Sequence, residues 1–197
     1  MASVPRPQVQ QRHKGMEFIS NTTSEASKPG PPVLLSFNKM PEWFQRESNS
    51  HILDGYRPIS GSAHASFHSW SYIHNESFNI YSHLISGVFF LLGNLYIQQY
   101  FARYSGVTVA DYTAFSIFML TAVACLSLSA TYHTLMNHSP HMERFCLRLD
   151  MLGIVFFILG DLILGIYMVF WCEPLPRNIY WCMVSLFFLM LSLKHSI

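Results

Sequence analysis

The stretch from Asn79 to Ile97, NIYSHLISGVFFLLGNLYI, decides the fold class, because its 19 residues include no Asp, Glu, Lys or Arg. A helix that crosses a bilayer needs about 20 mostly apolar residues, so this stretch is typical of a transmembrane α-helix. Polar groups inside it, such as His83, are expected to face protein or water rather than lipid. The first membrane span is therefore predicted here.

Three further apolar stretches follow, and they predict spans at about 112–133, 149–170 and 179–193. The last is short for a bilayer. The chain as a whole is 51% hydrophobic and only 12% charged, whereas a soluble domain carries roughly 25% charged residues. We therefore expect an all-α membrane protein with about four transmembrane helices, contained in a transmembrane domain over residues 76–197.

The residues before the first span divide into two predicted regions. Residues 1–36 are expected to form a disordered tail, because the first 32 are rich in Ser, Pro, Gln and Thr and cannot bury enough apolar surface to offset chain entropy. Residues 37–75 are expected to form an interfacial, amphipathic segment with one or two short surface helices. Its aromatic residues Phe67, Trp70 and Tyr72 match the aromatic belt of a membrane interface.

Composition excludes several other classes of protein. A net charge of +1 argues against an electrostatic nucleic-acid partner. The four cysteines form no CxxC pair, so a thiol-metal or redox motif is not expected. The N-terminus has no apolar run and therefore no expected cleavable signal peptide.

The distribution of Lys and Arg predicts the orientation. The residues before the first span and the loop with Arg144 and Arg148 carry nine of the twelve Lys and Arg residues, whereas the opposite side has only Arg103 and Arg177. Positive charge is retained on the cytoplasmic side, so the N-terminus is predicted to be cytoplasmic, in a plasma membrane or an endomembrane. The glycosylation sequons, which would then also be cytoplasmic and unmodified, begin at Asn21, Asn75 and Asn137.

Three polar residues near the second and third spans are the candidate site. Ser129 and His133 are four residues apart and so share a helix face, while Asp150 stands at the start of the predicted third span. A neutral imidazole and a carboxylate at one membrane depth can hold a divalent metal with a bound water. The alternative is an interfacial His133 and an Asp150 that caps a helix N-terminus. The spacing alone leaves both open.

Other polar residues have a structural and a functional interpretation. Glu76, Asn79 and His83 share one helix face, which favours interhelical hydrogen bonds over catalysis. Asp161 lies deep in the third predicted span, where a carboxylate is typically functional. His138 and His141 lie in the predicted loop between the second and third spans and could add metal ligands, although loop histidines are more often solvated. His64, His68 and His74 precede the first span without ligand-like pairing and are predicted to be interfacial.

Several of these residues fall in motifs of one family. The motifs are Pro41-Glu42-Trp43-Phe44, Gly55-Tyr56-Arg57-Pro58, His74-Asn75-Glu76, Asn79-Ile80, Ser82-His83-Leu84, Ser129-x-x-x-His133-Thr134 and Leu149-Asp150-x-x-Gly153-Ile154. Through them the chain, from about Pro41 onward, resembles the progestin and adipoQ receptor family. That family is also called haemolysin III-related, and the resemblance is to its adiponectin-receptor-like branch.

The resemblance implies a seven-span fold with a cytoplasmic N-terminus and a zinc-dependent lipid amidase site. One of the family's three zinc histidines matches His133, and its catalytic Ser and Asp match Ser129 and Asp150. The other two zinc histidines belong to the family's last span, whereas this chain ends at Ile197. An incomplete zinc site in a truncated family member is therefore expected.

The expected function is that of a receptor-like membrane protein in signalling and in lipid or zinc homeostasis. Its expected partners are membrane lipids, with a ceramide-like substrate, and no nucleic acid. The alternative is a non-enzymatic membrane protein that forms homo- or hetero-oligomers with full-length relatives.

Overall fold

The computed structural model describes residues 33–194, without the side chains of Ser48 and of residues 191–194. Residues 1–32, most of the expected disordered tail, lie outside the described residues, as do residues 195–197. The α-helices are α1 (Ala63–His68), α2 (Ser77–Phe101), α3 (Val109–Leu135), α4 (Pro140–Val169) and α5 (Pro174–Lys194). Single turns of 3-10 helix occupy Phe37–Lys39, Glu47–Asn49 and Ser69–Ser71.

Three of these helices, α2, α3 and α4, are long and apolar enough to cross a membrane. This agrees with the predicted first three spans and with an all-α integral membrane protein. Helix α5 has 21 residues and covers the fourth predicted span, but it is not among the three. The predicted number of four spans is therefore approximate.

Helix α3 lies between α2 and α4 and packs most extensively against α4. Two glycines allow the close approach of α4. A Cβ added at Gly153 would lie 3.0 Å from the Cα of Cys125, and a Cβ added at Gly160 would overlap the side chain of Thr121. The backbone of α4 thus lies against the backbone of α3 at Gly153 and, two turns later, against the Thr121 side chain at Gly160.

Helix α4 begins well before the predicted third span. Its first residue is Pro140, and the hydroxyl of Ser139 caps it by accepting a hydrogen bond from the amide of Met142 at 3.3 Å. The predicted span covers only the apolar part of the helix. The first two turns of α4 are polar, so this criterion does not include them. The interpretation of Asp150 as a helix-start cap is therefore wrong, since Asp150 lies well inside α4.

Helix α3 also begins earlier than its predicted span. Asp111, one residue before that predicted span, lies in the first turn of α3 and forms a capping box with Thr108. Polar residues at helix starts satisfy backbone amides that have no partner within the helix. An apolarity criterion does not include them.

The segment before α1 folds onto the ends of α3 and α4. Phe44 and Tyr56 are buried in one apolar cluster with Tyr132 of α3 and Cys146 of α4. Between Phe37 and Tyr56 the backbone is irregular apart from two single 3-10 turns, and the short α-helix within residues 37–75 is α1. We call residues 33–62 the N-terminal segment.

One ion pair joins the N-terminal segment to both helices. The guanidinium of Arg46 pairs with the carboxylate of Glu143 at the start of α4. It also donates to the hydroxyl of Tyr132 at 2.9 Å. The N-terminal segment is therefore attached at the same end of the bundle as the connection between α3 and α4.

Candidate functional site

The candidate site is built around His133, two residues before the end of α3. Its Nδ1 lies 2.8 Å from a carboxylate oxygen of Glu76, the residue that precedes α2. A histidine that donates from Nδ1 to a carboxylate is held in the tautomer whose Nε2 can bind a metal. This contact gives His133 a defined orientation and a defined lone pair.

Glu76 is itself fixed in place. It is buried, and it accepts hydrogen bonds at 2.8 Å from the side-chain amides of Asn75 and Asn79. Burial alone raises the pKa of Glu76, but hydrogen bonds from His133 and Asn79 outweigh it and hold that pKa below its usual range. Glu76 is therefore an ionised carboxylate at neutral pH. The predicted interhelical hydrogen bonding of α2 is found here, between Glu76 and His133.

His83 of α2 faces His133. The two imidazole rings are 5.6 Å apart between centroids in an edge-to-face arrangement. The Nδ1 of His83 is buried and has no hydrogen-bond partner among the described residues. A buried polar atom without a partner is costly, so this nitrogen has unused hydrogen-bonding capacity within the described structure.

The other two predicted site residues come from the neighbouring helices. Ser129 lies one turn before His133 in α3, and Asp150 lies in α4; both side chains are buried. Among the described residues, neither side chain forms a hydrogen bond or ion pair with His133. Ser129 and His133 therefore lie on α3 and Asp150 on the neighbouring α4, without a direct polar contact.

Arg57 holds the end of α3 in position. Its buried guanidinium donates to the carbonyl oxygens of His133, at 2.6 Å, and Thr134, at 3.0 Å. A cation there complements the negative end of the helix dipole. Burial lowers the pKa of Arg57 to about 10, against the opposing charge of Glu76, so it stays charged at neutral pH.

Arg57 was not predicted as a site residue, because in the sequence it is one of many cations that precede the first span. The available signal was the Gly55-Tyr56-Arg57-Pro58 motif. Gly55 adopts a φ of 94°, which a residue with a Cβ rarely adopts. This turn directs Arg57 towards the helix end.

The histidines predicted to be interfacial differ in environment. His74 is buried, and its Nδ1 accepts a hydrogen bond from the amide of Glu76 at 3.1 Å. Burial, followed by the charge of Arg57, lowers the pKa of His74 to about 4. His74 is thus a neutral structural residue, whereas His64 and His68 are exposed.

The donor set fits a metal only in part. His133 has the carboxylate-bound imidazole that a zinc ligand typically has. Within residues 33–194, however, no group of three or more His, Cys, Asp or Glu side chains is placed to hold a metal ion. His138, between α3 and α4, and His141, predicted in the loop but found in the first turn of α4, therefore do not complete a ligand set with His133 in the part of the chain that the structure describes.

An apolar cavity lies between α3, α4 and α5, at the end of the helices opposite to His133. It has a volume of about 650 Å³ and is lined by residues such as Val109, Ile163 and Trp181. Asp161, predicted to be functional, is exposed on α4 and is not among its lining residues. No partner for Asp161 is seen in the described part of the chain.

The fold and the site together define a multi-helix membrane protein with a polar, histidine-centred cluster at one end of its helices. The family model described as haemolysin-III related matches residues 71–195. The chain belongs to the haemolysin-III related family.

Curated relatives agree. The chain is 36% identical over 154 residues to the progestin and adipoQ receptor-like protein 1 of Caenorhabditis elegans, covering 77% of this chain and 34% of the relative. It is 32% identical to the adiponectin receptor protein of Drosophila melanogaster, covering 76% and 33%. It is 37% identical to the ADIPOR-like receptor IZH2 of Saccharomyces cerevisiae, covering 68% and 42%. The matches thus span between a third and about two fifths of these relatives' length.

Proposed function

We propose that this chain is a receptor-like membrane protein whose His133 site takes part in zinc-dependent hydrolysis of ceramide-type lipid amides, with a role in signalling and in lipid or zinc homeostasis. The observation that carries the proposal is the contact between the buried Glu76 carboxylate and Nδ1 of His133. A carboxylate on the far nitrogen is the usual partner of a metal-bound histidine.

Each residue of the cluster has a chemical role in this proposal. His133 would hold zinc through Nε2, and a bound zinc supplies a water with a lowered pKa and polarises a carbonyl. Glu76 keeps the imidazole in the correct tautomer. The buried carboxylate of Asp150 can accept a proton, and the hydroxyl of Ser129 can donate a hydrogen bond to a developing oxyanion. The remaining zinc ligands would come from outside the described residues.

We also propose that the N-terminal segment and the His133 site lie on the cytoplasmic side. The bond from Arg57 to the carbonyl of His133 places both at one end of the bundle, and the excess of Lys and Arg at this end supports the orientation. A protease added to intact cells should then spare an epitope inserted near Met16. Cleavage of that epitope would place the site on the outer face.

The proposal is tested by zinc content and ceramide turnover. Because the described residues place no three ligands together, both are measured on this chain and on a fusion of it to the C-terminal spans of a relative. We expect the fusion to bind one zinc and hydrolyse ceramide, and His133→Ala to abolish both. The exposed His141→Ala is the matched control and should change neither.

Equal zinc content and turnover in the wild-type and His133→Ala fusions would overturn the hydrolase proposal. That result would favour the non-enzymatic alternative, in which this chain pairs with longer relatives. Co-purification of the chain with such a relative, from a membrane extract containing both, would then be the expected finding.

A further inference from the structure

Helix α1 presents two histidines on one face. His64 and His68 are four residues apart in a helix that runs from Ala63 to His68, and side chains at this spacing are neighbours. Both are exposed, and both line the same surface cavity of about 270 Å³. Tyr72 lines this cavity as well.

The opposite face of α1 is anchored to the end of α3. The buried hydroxyl of Ser66 donates to the side-chain oxygen of Asn137 at 3.0 Å. The indole of Trp70, just after the helix, donates to the hydroxyl of Thr134 at 3.0 Å. A six-residue helix is not stable alone in water, so these contacts hold the backbone that carries the two histidines in place before any ligand binds.

The turns around α1 strengthen this anchoring. Ser62 caps the helix by accepting a hydrogen bond from the amide of Ala65 at 3.3 Å. The hydroxyl of Ser69, at the other end, accepts from Arg57 at 2.8 Å. A ligand at His64 and His68 therefore pays little for ordering the backbone, which favours affinity.

We propose that His64 and His68 form a two-histidine binding site for a divalent late first-row transition metal, Cu²⁺ or Zn²⁺. Imidazole is a preferred ligand of both metals, and Cu²⁺ binds a given nitrogen site more tightly than Zn²⁺. Helical histidines at this spacing jointly bind zinc in metalloproteases. Water is available to complete the coordination, because both histidines are exposed. The site is built independently of His133 and does not rest on the proposed function.

The first test is a Cu²⁺ titration of the purified full chain in detergent, followed by electron paramagnetic resonance. We expect one Cu²⁺ with nitrogen ligands, and an affinity at least about tenfold lower in His64→Ala and in His68→Ala, equivalent to about 1.4 kcal/mol. The exposed His51→Ala and His141→Ala are the matched controls and should retain the wild-type affinity. Both α1 side chains are exposed, so the helical circular dichroism should be unchanged.

A second test reports on the residues directly. Diethyl pyrocarbonate modifies accessible imidazoles, and mass spectrometry locates the modified histidines. We expect Zn²⁺ to protect His64 and His68 from modification, but not His51 or His141. Retention of the Cu²⁺ affinity in a His64→Ala/His68→Ala double variant, or equal modification of His64 with and without Zn²⁺, would overturn the proposal.

Discussion

The two ends of the helix bundle each bury a carboxylate, but the partners differ. At one end, Asp111 accepts hydrogen bonds from the hydroxyl of Tyr167 at 2.6 Å and from the amide and hydroxyl of Thr108 at 2.6 and 2.8 Å. At the other end, Glu76 accepts from two asparagines and contacts His133. Both carboxylates are thus fully engaged, as buried charges have to be.

The two carboxylates differ in whether their partners have unused hydrogen-bonding capacity. The partners of Asp111 are the helix-capping Thr108 and the phenol of Tyr167, and both donate their hydrogen bonds to Asp111 itself. The partner of Glu76 is an imidazole with a second nitrogen, and beside it the Nδ1 of His83 has no partner among the described residues. A buried polar cluster with spare bonding capacity indicates a ligand, whereas one without it indicates structure. Four predictions test this comparison, from the largest expected effect to the smallest.

The largest effect is expected from Arg57→Ala. The change removes the guanidinium that bonds the carbonyls of His133 and Thr134, and it leaves Glu76 without a nearby cation. Breaking a buried charged network typically costs about 3–5 kcal/mol. The free energy of unfolding, measured in detergent micelles, should fall by that amount.

The exposed Arg103→Ala is the matched control for Arg57→Ala and should change stability by less than about 0.5 kcal/mol. A loss below about 1 kcal/mol for Arg57→Ala would show that the end of α3 is held by apolar packing of the N-terminal segment instead.

The next largest effect is expected at the packing contact between α3 and α4, midway between the two ends of the bundle. Gly160→Ala places a methyl group against Thr121 of α3, so the helices have to separate locally. Overpacking of this kind typically costs about 1–3 kcal/mol. Gly165→Ala, in the same helix with nothing within 4 Å of the added Cβ, should be neutral or slightly stabilising. Similar unfolding midpoints for the two variants would contradict the close packing of α3 and α4.

The sequence predicts the membrane helices well, because apolar runs of about 20 residues are a strong signal. It places their starts less well. The polar turns after Pro140 and the capping box at Thr108 belong to helices that apolarity alone does not reveal. Helix starts are determined by backbone amides and caps rather than by lipid contact.

The candidate site was predictable in its residue types but not in its contacts. Spacing and family resemblance single out Ser129, His133 and Asp150. A shared helix face singles out Glu76 and His83. That Glu76 bonds His133 could not be derived, because it depends on how α2 crosses α3. The positions of Arg57 and His74 depend on the irregular N-terminal region, for which no periodic pattern exists.

A smaller effect is expected from acid at the His133 end. His74 has a pKa of about 4 in the fold and an ordinary value of 6.5, so between these pH values the unfolded chain binds a proton that the folded chain does not. Stability is therefore full above pH 6.5 and falls as the pH is lowered to about 4, by about 1–2 kcal/mol allowing for partial screening. The lowered pKa of Glu76 adds a loss of the same sign at still lower pH.

His74→Gln tests this assignment, since a glutamine oxygen can still accept the hydrogen bond from the amide of Glu76 but does not titrate in this range. The dependence of unfolding free energy on pH between 6.5 and 4 should flatten in this variant. An unchanged slope would assign the acid sensitivity to other groups.

The smallest effect is expected at the Asp111 end, from Tyr167→Phe. The change removes one hydroxyl that donates to Asp111 at 2.6 Å, and the two donors from Thr108 remain. The ring keeps its stacking on Trp181 at 6.4 Å between centroids, so only the hydrogen bond is lost, which costs about 1 kcal/mol. Tyr180→Phe, an exposed tyrosine on α5, is the control and should cost nothing measurable.

Metal binding and ceramide turnover of the fusion carrying Tyr167→Phe should be the same as in wild type, because every hydrogen bond of Asp111 stabilises the fold. Glu76→Gln is the corresponding change at the His133 end. It should lower zinc affinity by about 10–100-fold, since it weakens the hydrogen-bond partner of the proposed zinc ligand His133. If Tyr167→Phe lowered zinc content as much as Glu76→Gln, the distinction between a structural end and a functional end would be wrong.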